Sequence, residues 1–453
     1  IFSVPPLKTM GWNELEALFI AVGATVSEGS GSRVKFDIYG RTVAFHRPLV
    51  GHALAGEKHR TGGEMMSAAP PKDVPPSPDG LGRLYSASPW GNLTGAPICA
   101  LEHLTVMRPF FGEVCLVLSE SGAIEERARQ AGVPVWCSPF AYRGLRHAGW
   151  RRFVSCVGAV VRSRWAYFRG LRRLLKDKPG ILHVHGLAPH LPYALLAGRL
   201  AGVLVAVTIH VPMRRGWESR LDRLAIRAGA GHVVWSSRDM AGRSPAFLRR
   251  KSTVVHNHGD LSVSRPPLSP KVRPVVAMPA RMGRRKGYDL FLETCRRLRD
   301  RGNVFEAWMV GEWDSEGERR QAMDFLEKHG LEQVVTIRGV LADMAPVYAQ
   351  MDVLLLTSRR DPFPRVIMEA MCHGIPVVST RVDGIPEMVE DGTTGFLAEA
   401  EDADGLASAA ERLLQDEGLR RRMGAAGRER AQKLFSPAAY VGAMMDLYRR
   451  LQG

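Results

Sequence analysis

The sequence predicts an α/β protein: two doubly wound parallel-sheet domains facing a cleft, preceded by a small α+β unit. Three observations carry this. Short apolar runs of strand length alternate with helical patterns from about residue 83 onward, in two successive series. Proline-rich stretches punctuate the chain where one series ends and the next begins. The 453 residues are 45% hydrophobic and 24% charged, an ordinary globular balance with material for more than one core.

The expected boundaries are 1–60 for the small unit, 61–80 for a linker, 81–268 and 269–435 for the two large domains, and 436–453 for a final helix returning to the first large domain. The linker is plain: five prolines lie between Pro70 and Pro78, and no apolar periodicity survives there. In the first series, strands are expected at 83–88, 113–119, 133–138, 181–185, 204–210, 232–236 and 252–256. Helices are expected at 96–107, 124–131 and 151–177. Residues 264–274, again proline-rich, lead into strands at 275–278, 306–310, 334–338, 353–357 and 376–380. Helices at 288–301, 316–329, 344–350 and 364–372 lie between them, and 437–451 closes the chain. Strand–helix alternation of this kind implies parallel sheets covered on both faces.

Several classes of protein are excluded as expectations. The longest apolar window, 201–211, is well short of the roughly 20 residues a bilayer-spanning helix needs. Residues 1–9 lack the charged and apolar regions of a secretory leader. Cys99, Cys115, Cys137, Cys156, Cys295 and Cys372 are widely spaced with no Cys-x-x-Cys pair, which points to reduced thiols in the cytoplasm rather than a disulfide scaffold or zinc site.

The net charge of +16 is unevenly placed. Residues 81–270 hold 27 Lys and Arg against 10 Asp and Glu, whereas the flanking portions are close to neutral. Ten of those cations fall between Arg143 and Lys176, interleaved with Trp150, Phe153, Trp165, Tyr167 and Phe168 and with no acid among them. Residues 143–178 therefore suit an anionic membrane surface. A solvated basic face and nucleic acid would use the same charge, and nucleic acid is the partner least expected.

The segment richest in chemistry is DPFPRVIMEAMCHGIPVVST, 361–380. It follows the strand at 353–357, so Asp361 leaves that strand's carboxyl end, where open α/β sheets bind ligands. Pro364 suits the first position of a short helix and Gly374 the position past its end. The helix aims its first N–H groups toward an anion. Asp361 on the loop and Glu369 on the helix supply carboxylates that accept hydrogen bonds from sugar hydroxyls. A second element, ARMGRRK at 280–286, leaves the strand at 275–278. There Arg281 and Lys286 can neutralise a diphosphate.

From about residue 81 to 453 the chain resembles glycosyltransferase family 4, the retaining, nucleotide-sugar-dependent enzymes of GT-B fold, with two Rossmann-like domains. The family's Glu-x7-Glu signature is similar to Asp361-x7-Glu369, with Asp in place of the first Glu, and its basic pair to Arg281 and Lys286 in PARMGRRKGYDLFLE. The glycine-rich first loop resembles GNLTGAP at 91–97. HVHG ending at Gly186, VTIH ending at His210, VHNHGD around Asn257 and IPEMVEDGTTGFL add to the likeness. The resemblance implies that Glu369 holds the ribose hydroxyls and Asp361 a hydroxyl of the donor sugar. Arg281, Lys286 and the amides of Arg365 and Val366 would hold the diphosphate, His210 would lie near the transferred sugar, and Gly95 would let the acceptor-side backbone approach. It implies a hexosyltransferase of surface-polysaccharide synthesis acting on a glycan or lipid-linked acceptor, with no cofactor and no metal, cytoplasmic and peripheral on the inner face of the membrane. The shorter Asp361 bears on which sugar is used. His183 and His185 are expected to alternate on their strand, at most one of them facing the cleft.

In the small unit, SEGSGSRVKFDIYGRTVAFHRP reads as two strands, 34–38 and 42–46, after a helix, and resembles the HicA-type toxins, small ribonucleases with a double-stranded-RNA-binding-like fold. Arg33 stands where many members carry a catalytic histidine after Gly-Ser. The alternative reading of the whole is thus an RNA-directed, toxin-like binding module fused to an inactive glycosyltransferase scaffold.

Overall fold

The computed structural model describes residues 25–28, 33–38, 41–46, 82–89, 91, 95–138, 150–186, 190–211, 217–259, 273–341 and 343–452; for 25–46, 150–160 and 217–221 it describes the backbone alone. By its contacts the chain forms two compact units, one taking in 208–215 and 233–443, the other 10–207, 216–232 and 444–453.

Strands β1 (Thr25–Glu28), β2 (Arg33–Ile38) and β3 (Arg41–His46) form an antiparallel sheet in which Val34 pairs with Phe45 and Phe36 with Val43. The helix expected before them lies outside the described residues.

A seven-stranded sheet follows, built from β4 (Arg83–Ser88), β5 (Glu113–Leu118), β6 (Val135–Cys137), β7 (Ile181–His185), β8 (Leu204–Ile209), β9 (His232–Trp235) and β10 (Ser252–Val254). Its order is 10-9-8-7-4-5-6, so the direction of winding reverses between β4 and β7. The strand expected at 133–138 is trimmed to three residues. Leu84, Leu116, Leu118, Leu182 and Val184 are fully buried, as both-sided strands require.

The six-stranded sheet comprises β11 (Val275–Pro279), β12 (Glu306–Val310), β13 (Val335–Gly339), β14 (Val353–Leu356), β15 (Val377–Thr380) and β16 (Gly395–Ala398), in the order 13-12-11-14-15-16 and parallel throughout. Successive side chains of a strand point to opposite faces. Val276 and Met278 accordingly join the core with Phe291 and Leu406, while Val275 and Ala277 join the core with Ile367 and Met371. The helices 288–300 and 403–415 thus cover one face, and 345–350, 365–372 and 417–435 the other. β16 and the helices of 403–435 are additions to the sequence expectation.

Among the described residues no helix is long and apolar enough to cross a membrane. In the helix Trp150–Asp177, Tyr167, Phe168, Leu171 and Leu175 are buried, while Val161 (60% exposed), Trp165 (54%), Arg162, Arg169, Arg173 and Lys176 face outward. This corrects part of the reading of that segment. The helical period of 3.6 turns Tyr167 and Phe168 into the core and leaves Trp165 on the basic face.

Candidate functional site

The winding of the six-stranded sheet reverses between β11 and β14, and the carboxyl ends of those strands are where ligands bind in such sheets. The two loops that leave them carry the residues singled out above. After β11 the chain makes a tight turn through Gly283–Lys286 and enters the helix Tyr288–Asp300 at Gly287. Gly287 has φ +75°, and a Cβ there would stand 2.0 Å from the Thr357 carbonyl oxygen. Glycine is therefore what lets the basic turn lie against the end of β14, and Thr357 Oγ1 donates back to the Gly287 carbonyl at 2.8 Å.

That approach brings Lys286 Nζ onto Asp361 Oδ2 as a nearly buried ion pair, with Ser358 Oγ at 3.5 Å from the same oxygen. The loop holding Asp361 is braced on both sides. Arg359 forks onto Asp289 at 2.6 and 2.9 Å and reaches Glu401 at 2.8 Å. Burial works against the charge of Asp289, and the Arg359 hydrogen bonds overcome it, holding that carboxyl below its usual range. Beyond Asp361, a Cβ on Gly384 would stand 2.0 Å from the Pro362 carbonyl oxygen, so this loop too depends on a close backbone approach.

Arg281 is 59% exposed and is held by Asp314, Nε to Oδ1 at 2.5 Å. Both cations of the basic pair are thus partnered by acids, an arrangement the sequence reading did not foresee.

The helix Arg365–Cys372 starts one residue later than expected: Pro364 is its N-cap, extended at ψ 117°, and Gly374 follows its end at φ +68°. Among the described residues this N-terminus has no side-chain cap and no acid in its first turn, so the amides of Arg365 and Val366 open a helix end suited to an anion. Glu369 lies one turn on. Its Oε2 accepts from Tyr348 Oη at 2.6 Å, and its Oε1 lies 3.5 Å from the Arg365 guanidinium. Tyr348, in the helix Ala345–Gln350, was missed in the sequence because a tyrosine in an apolar helix reads as core.

His210 follows β8 directly. Burial, with the Arg365 charge adding to it, pushes its pKa down to about 4, so it is neutral near pH 7. Gly95 opens the helix Gly95–Met107, and among the described residues a Cβ there would meet nothing within 4 Å; at Gly91 it would stand 2.5 Å from the Ser121 backbone. Packing thus demands glycine at 91, whereas Gly95 leaves open space.

His183 and His185 require a correction. Residues i and i+2 of a strand share a face, and both rings lie buried on the same side of β7, stacked with centroids 4.7 Å apart. His103 and Tyr448 complete the group: Tyr448 Oη lies 2.6 Å from His183 Nδ1 and 2.8 Å from His103 Nε2. A phenol can donate to one imidazole nitrogen and accept from the other, which satisfies one nitrogen of each ring. The three histidines offer ring nitrogens within 4.8 Å of one another.

Residues 273–416, which contain both loops and the Arg365–Cys372 helix, match the family model described as Glycosyl transferases group 1. Over 118 residues the chain is 38% identical to N-acetyl-alpha-D-glucosaminyl L-malate synthase of Bacillus anthracis, covering 26% of this chain and 31% of that protein. Over 180 residues it is 33% identical to the lipopolysaccharide core biosynthesis glycosyltransferase LpsE of Rhizobium meliloti, covering 40% of this chain and 51% of that protein. The chain thus matches 31% and 51% of the length of these two relatives. Among solved structures it is similar to Anabaena Alr3699/HepE in complex with UDP, with TM-score 0.68 and 19% identity over 81% of this chain and 99% of that one. The fold is that of the GT-B proteins, two parallel-sheet Rossmann-like domains.

Proposed function

We propose that this chain is a retaining hexosyltransferase that moves a hexose from a nucleotide-diphosphate sugar to a glycan or lipid-linked acceptor in bacterial surface-polysaccharide synthesis. One observation carries the reading. At the winding reversal of the six-stranded sheet, a Lys286–Asp361 pair and Glu369 surround a helix end with no side-chain cap among the described residues. A nucleotide sugar needs cations and amides for its diphosphate, and carboxylates for its ribose and sugar hydroxyls.

In this reading Glu369 accepts from the ribose hydroxyls, and Asp361 from a hydroxyl of the hexose. Lys286 has three N–H donors, so it can keep Asp361 while reaching a phosphate oxygen. Arg281 reaches the diphosphate by exchanging its exposed contact with Asp314, and the amides of Arg365 and Val366 complete the anion's shell. These groups stabilise the charge that grows on the β-phosphate as the bond from the anomeric carbon to oxygen breaks. The acceptor oxygen attacks that carbon from the same face and gives its proton to a leaving phosphate oxygen, which retains configuration. Neutral His210 accompanies the transferred sugar without adding positive charge beside Arg365, and the open space at Gly95 admits the acceptor. No metal or cofactor takes part. The portion 81–268 takes the acceptor, 269–435 takes the donor, and the final helix, 436–453, returns to the first.

The outward face of the Trp150–Asp177 helix, with Trp165 and Val161 among cations, docks on an anionic membrane. In this reading the enzyme works at the cytoplasmic face, where a lipid-linked acceptor would be met. The lipopolysaccharide relative and the UDP complex of the structural neighbour support the nucleotide-sugar donor and the glycan acceptor.

The test is a donor screen on the full chain. UDP-, GDP-, ADP- and dTDP-sugars are incubated with bacterial lipid extract, and release of free nucleoside diphosphate is followed. Release with one donor, lost in Glu369→Ala, is expected; no release and no donor binding would overturn the proposal.

A further inference from the structure

Glu369 has a feature that its place in the sequence does not require. Its carboxylate ends a flexible side chain with three rotatable bonds on a partly exposed helix face, and such a group ordinarily samples several rotamers. Here it is fixed. Tyr348 Oη donates to Oε2 at 2.6 Å from a neighbouring helix. The tyrosine ring is buried in the core that also holds Ile367 and Met371, and it stacks on His373 at 4.8 Å with an interplanar angle of 19°. His373 is tied in turn to the backbone of Glu369 itself, with Nδ1 2.8 Å from the Glu369 carbonyl oxygen. The contacts close a ring: Glu369 backbone, His373 imidazole, Tyr348 ring, Glu369 carboxylate.

We propose that Tyr348 is the positioning residue for nucleotide-ribose recognition: it anchors one oxygen of Glu369 so that the carboxylate is presented to the ribose diol in a single orientation. The inference rests on the reading of Glu369 as the ribose acceptor and adds to it the group that makes the acceptor selective. Tyr348 is itself buried and acts through Glu369 rather than touching the ligand. Burial, together with the Glu369 charge, keeps the phenol above its ordinary pKa, so it remains a donor wherever the carboxylate is ionised. A pre-oriented carboxylate loses little freedom when the diol arrives, whereas a free one must be ordered by the ligand.

The consequence is specific. Loss of the Tyr348 hydroxyl should weaken nucleotides that carry ribose hydroxyls and leave untouched those that lack them. The experiment measures, by calorimetry on the full chain, binding of UDP, GDP and ADP and of their 2′,3′-dideoxy counterparts. The proteins are wild type, Tyr348→Phe, Glu369→Ala and the double variant. Wild type should prefer the ribonucleotide of its base over the dideoxy form by about tenfold or more, as expected for hydrogen bonds to a charged acceptor. Tyr348→Phe keeps the ring, its stacking and its volume. It should lose much of that preference, about threefold to tenfold, through weaker ribonucleotide binding alone. In the Glu369→Ala background the same change should have no further effect on binding. In steady state, Tyr348→Phe should raise the donor KM with kcat unchanged, the mark of an interaction made equally in ground and transition states.

Equal weakening of both nucleotide forms by Tyr348→Phe would mean a merely structural tyrosine. Full retention of the preference would mean that Glu369 needs no anchor. Either result overturns the proposal while leaving Glu369 as the ribose acceptor. A wild type that fails to discriminate the two forms, or binds none of the nucleotides, overturns the Glu369 reading and this inference with it. If Tyr348→Phe is too unstable to titrate, Tyr348→Met, which fills apolar space without a hydroxyl, must show the same selective loss for the proposal to stand.

Discussion

Two regions of this molecule occupy the same topological position and use it differently. In the six-stranded sheet the winding reverses between β11 and β14, and the polar groups there are paired but reachable: Glu369 is about one-third exposed and Arg281 more than half. In the seven-stranded sheet it reverses between β4 and β7, where the histidines of β7 are sealed, with His103, His183, His185 and Tyr448 all at 0–1% exposure. Topology says where a ligand can approach. Burial and the identity of the partners decide whether the groups there can exchange them for a ligand. Around Arg281 the partner is a carboxylate at an open surface, and Lys286, though nearly buried with Asp361, keeps further N–H donors to offer; around His183 the partner is a phenol locked into a core.

The sharpest way to break that comparison is to remove the pair at the open site. Lys286→Ala deprives the departing diphosphate of a cation, and turnover should fall about 100- to 1,000-fold, the usual effect of deleting one donor to developing negative charge. Nucleoside diphosphate release at saturating donor measures it. Tyr448→Phe should do the opposite. It takes the shared partner from His183 Nδ1 and His103 Nε2, which should lower unfolding free energy by about 1–3 kcal/mol in urea titrations while turnover stays within about twofold. A Tyr448→Phe protein of normal stability and lost turnover would show that the sealed cluster belongs to the chemistry, and the contrast would fail.

How much of this could be read from the sequence follows from the same contrast. Asp361 and Glu369 are eight positions apart, on a loop and a helix punctuated by Pro364 and Gly374, so local rules sufficed to place both. The buried strands were legible because residues such as Val353–Leu356 form unbroken apolar runs. β16 was not, because Gly395–Ala398 is four residues long and begins with a glycine, which reads as loop. Partners across the fold were the main loss. Lys286 meets Asp361 across 75 positions and Tyr448 meets His103 across 345, and no local spacing encodes either. The misreading of His183 and His185 was of another kind: strand alternation separates i from i+1, not i from i+2.

Acid should act on the segments that follow β7 and β8 of the seven-stranded sheet. His210 titrates near 4 and His190, fully buried, near 3, both depressed by burial, whereas an unfolded histidine titrates near 6.5. The unfolded chain therefore binds protons that the folded chain refuses. Stability is fully present above about pH 6.5 and is lost as pH falls toward the folded values. From pH 7 to pH 5 the loss from His210 should be about 1–2 kcal/mol, reduced from the full linkage value because the ring is partly exposed. Urea midpoints for wild type and His210→Gln at the two pH values test it. The variant should show the smaller drop, and equal drops would mean that His210 is not the neutral, depressed histidine described.

The smallest expected change in stability belongs to Trp165, and it separates surface from core most cleanly. The ring is 54% exposed and stands two residues before the buried Tyr167–Phe168 pair, with Arg162 and Arg169 on its own face. Trp165→Ser should therefore alter unfolding free energy by no more than about 0.5 kcal/mol, as exposed substitutions do. If this face docks on an anionic bilayer, the same change should reduce partition into phosphatidylglycerol-containing vesicles several-fold and leave the weak binding to neutral vesicles unchanged. Cations draw the helix to the charged surface, but an indole held at the headgroup level adds the apolar contact that charge alone does not supply. Unchanged partition would leave the cations as a solvated face and place acceptor capture elsewhere on the protein.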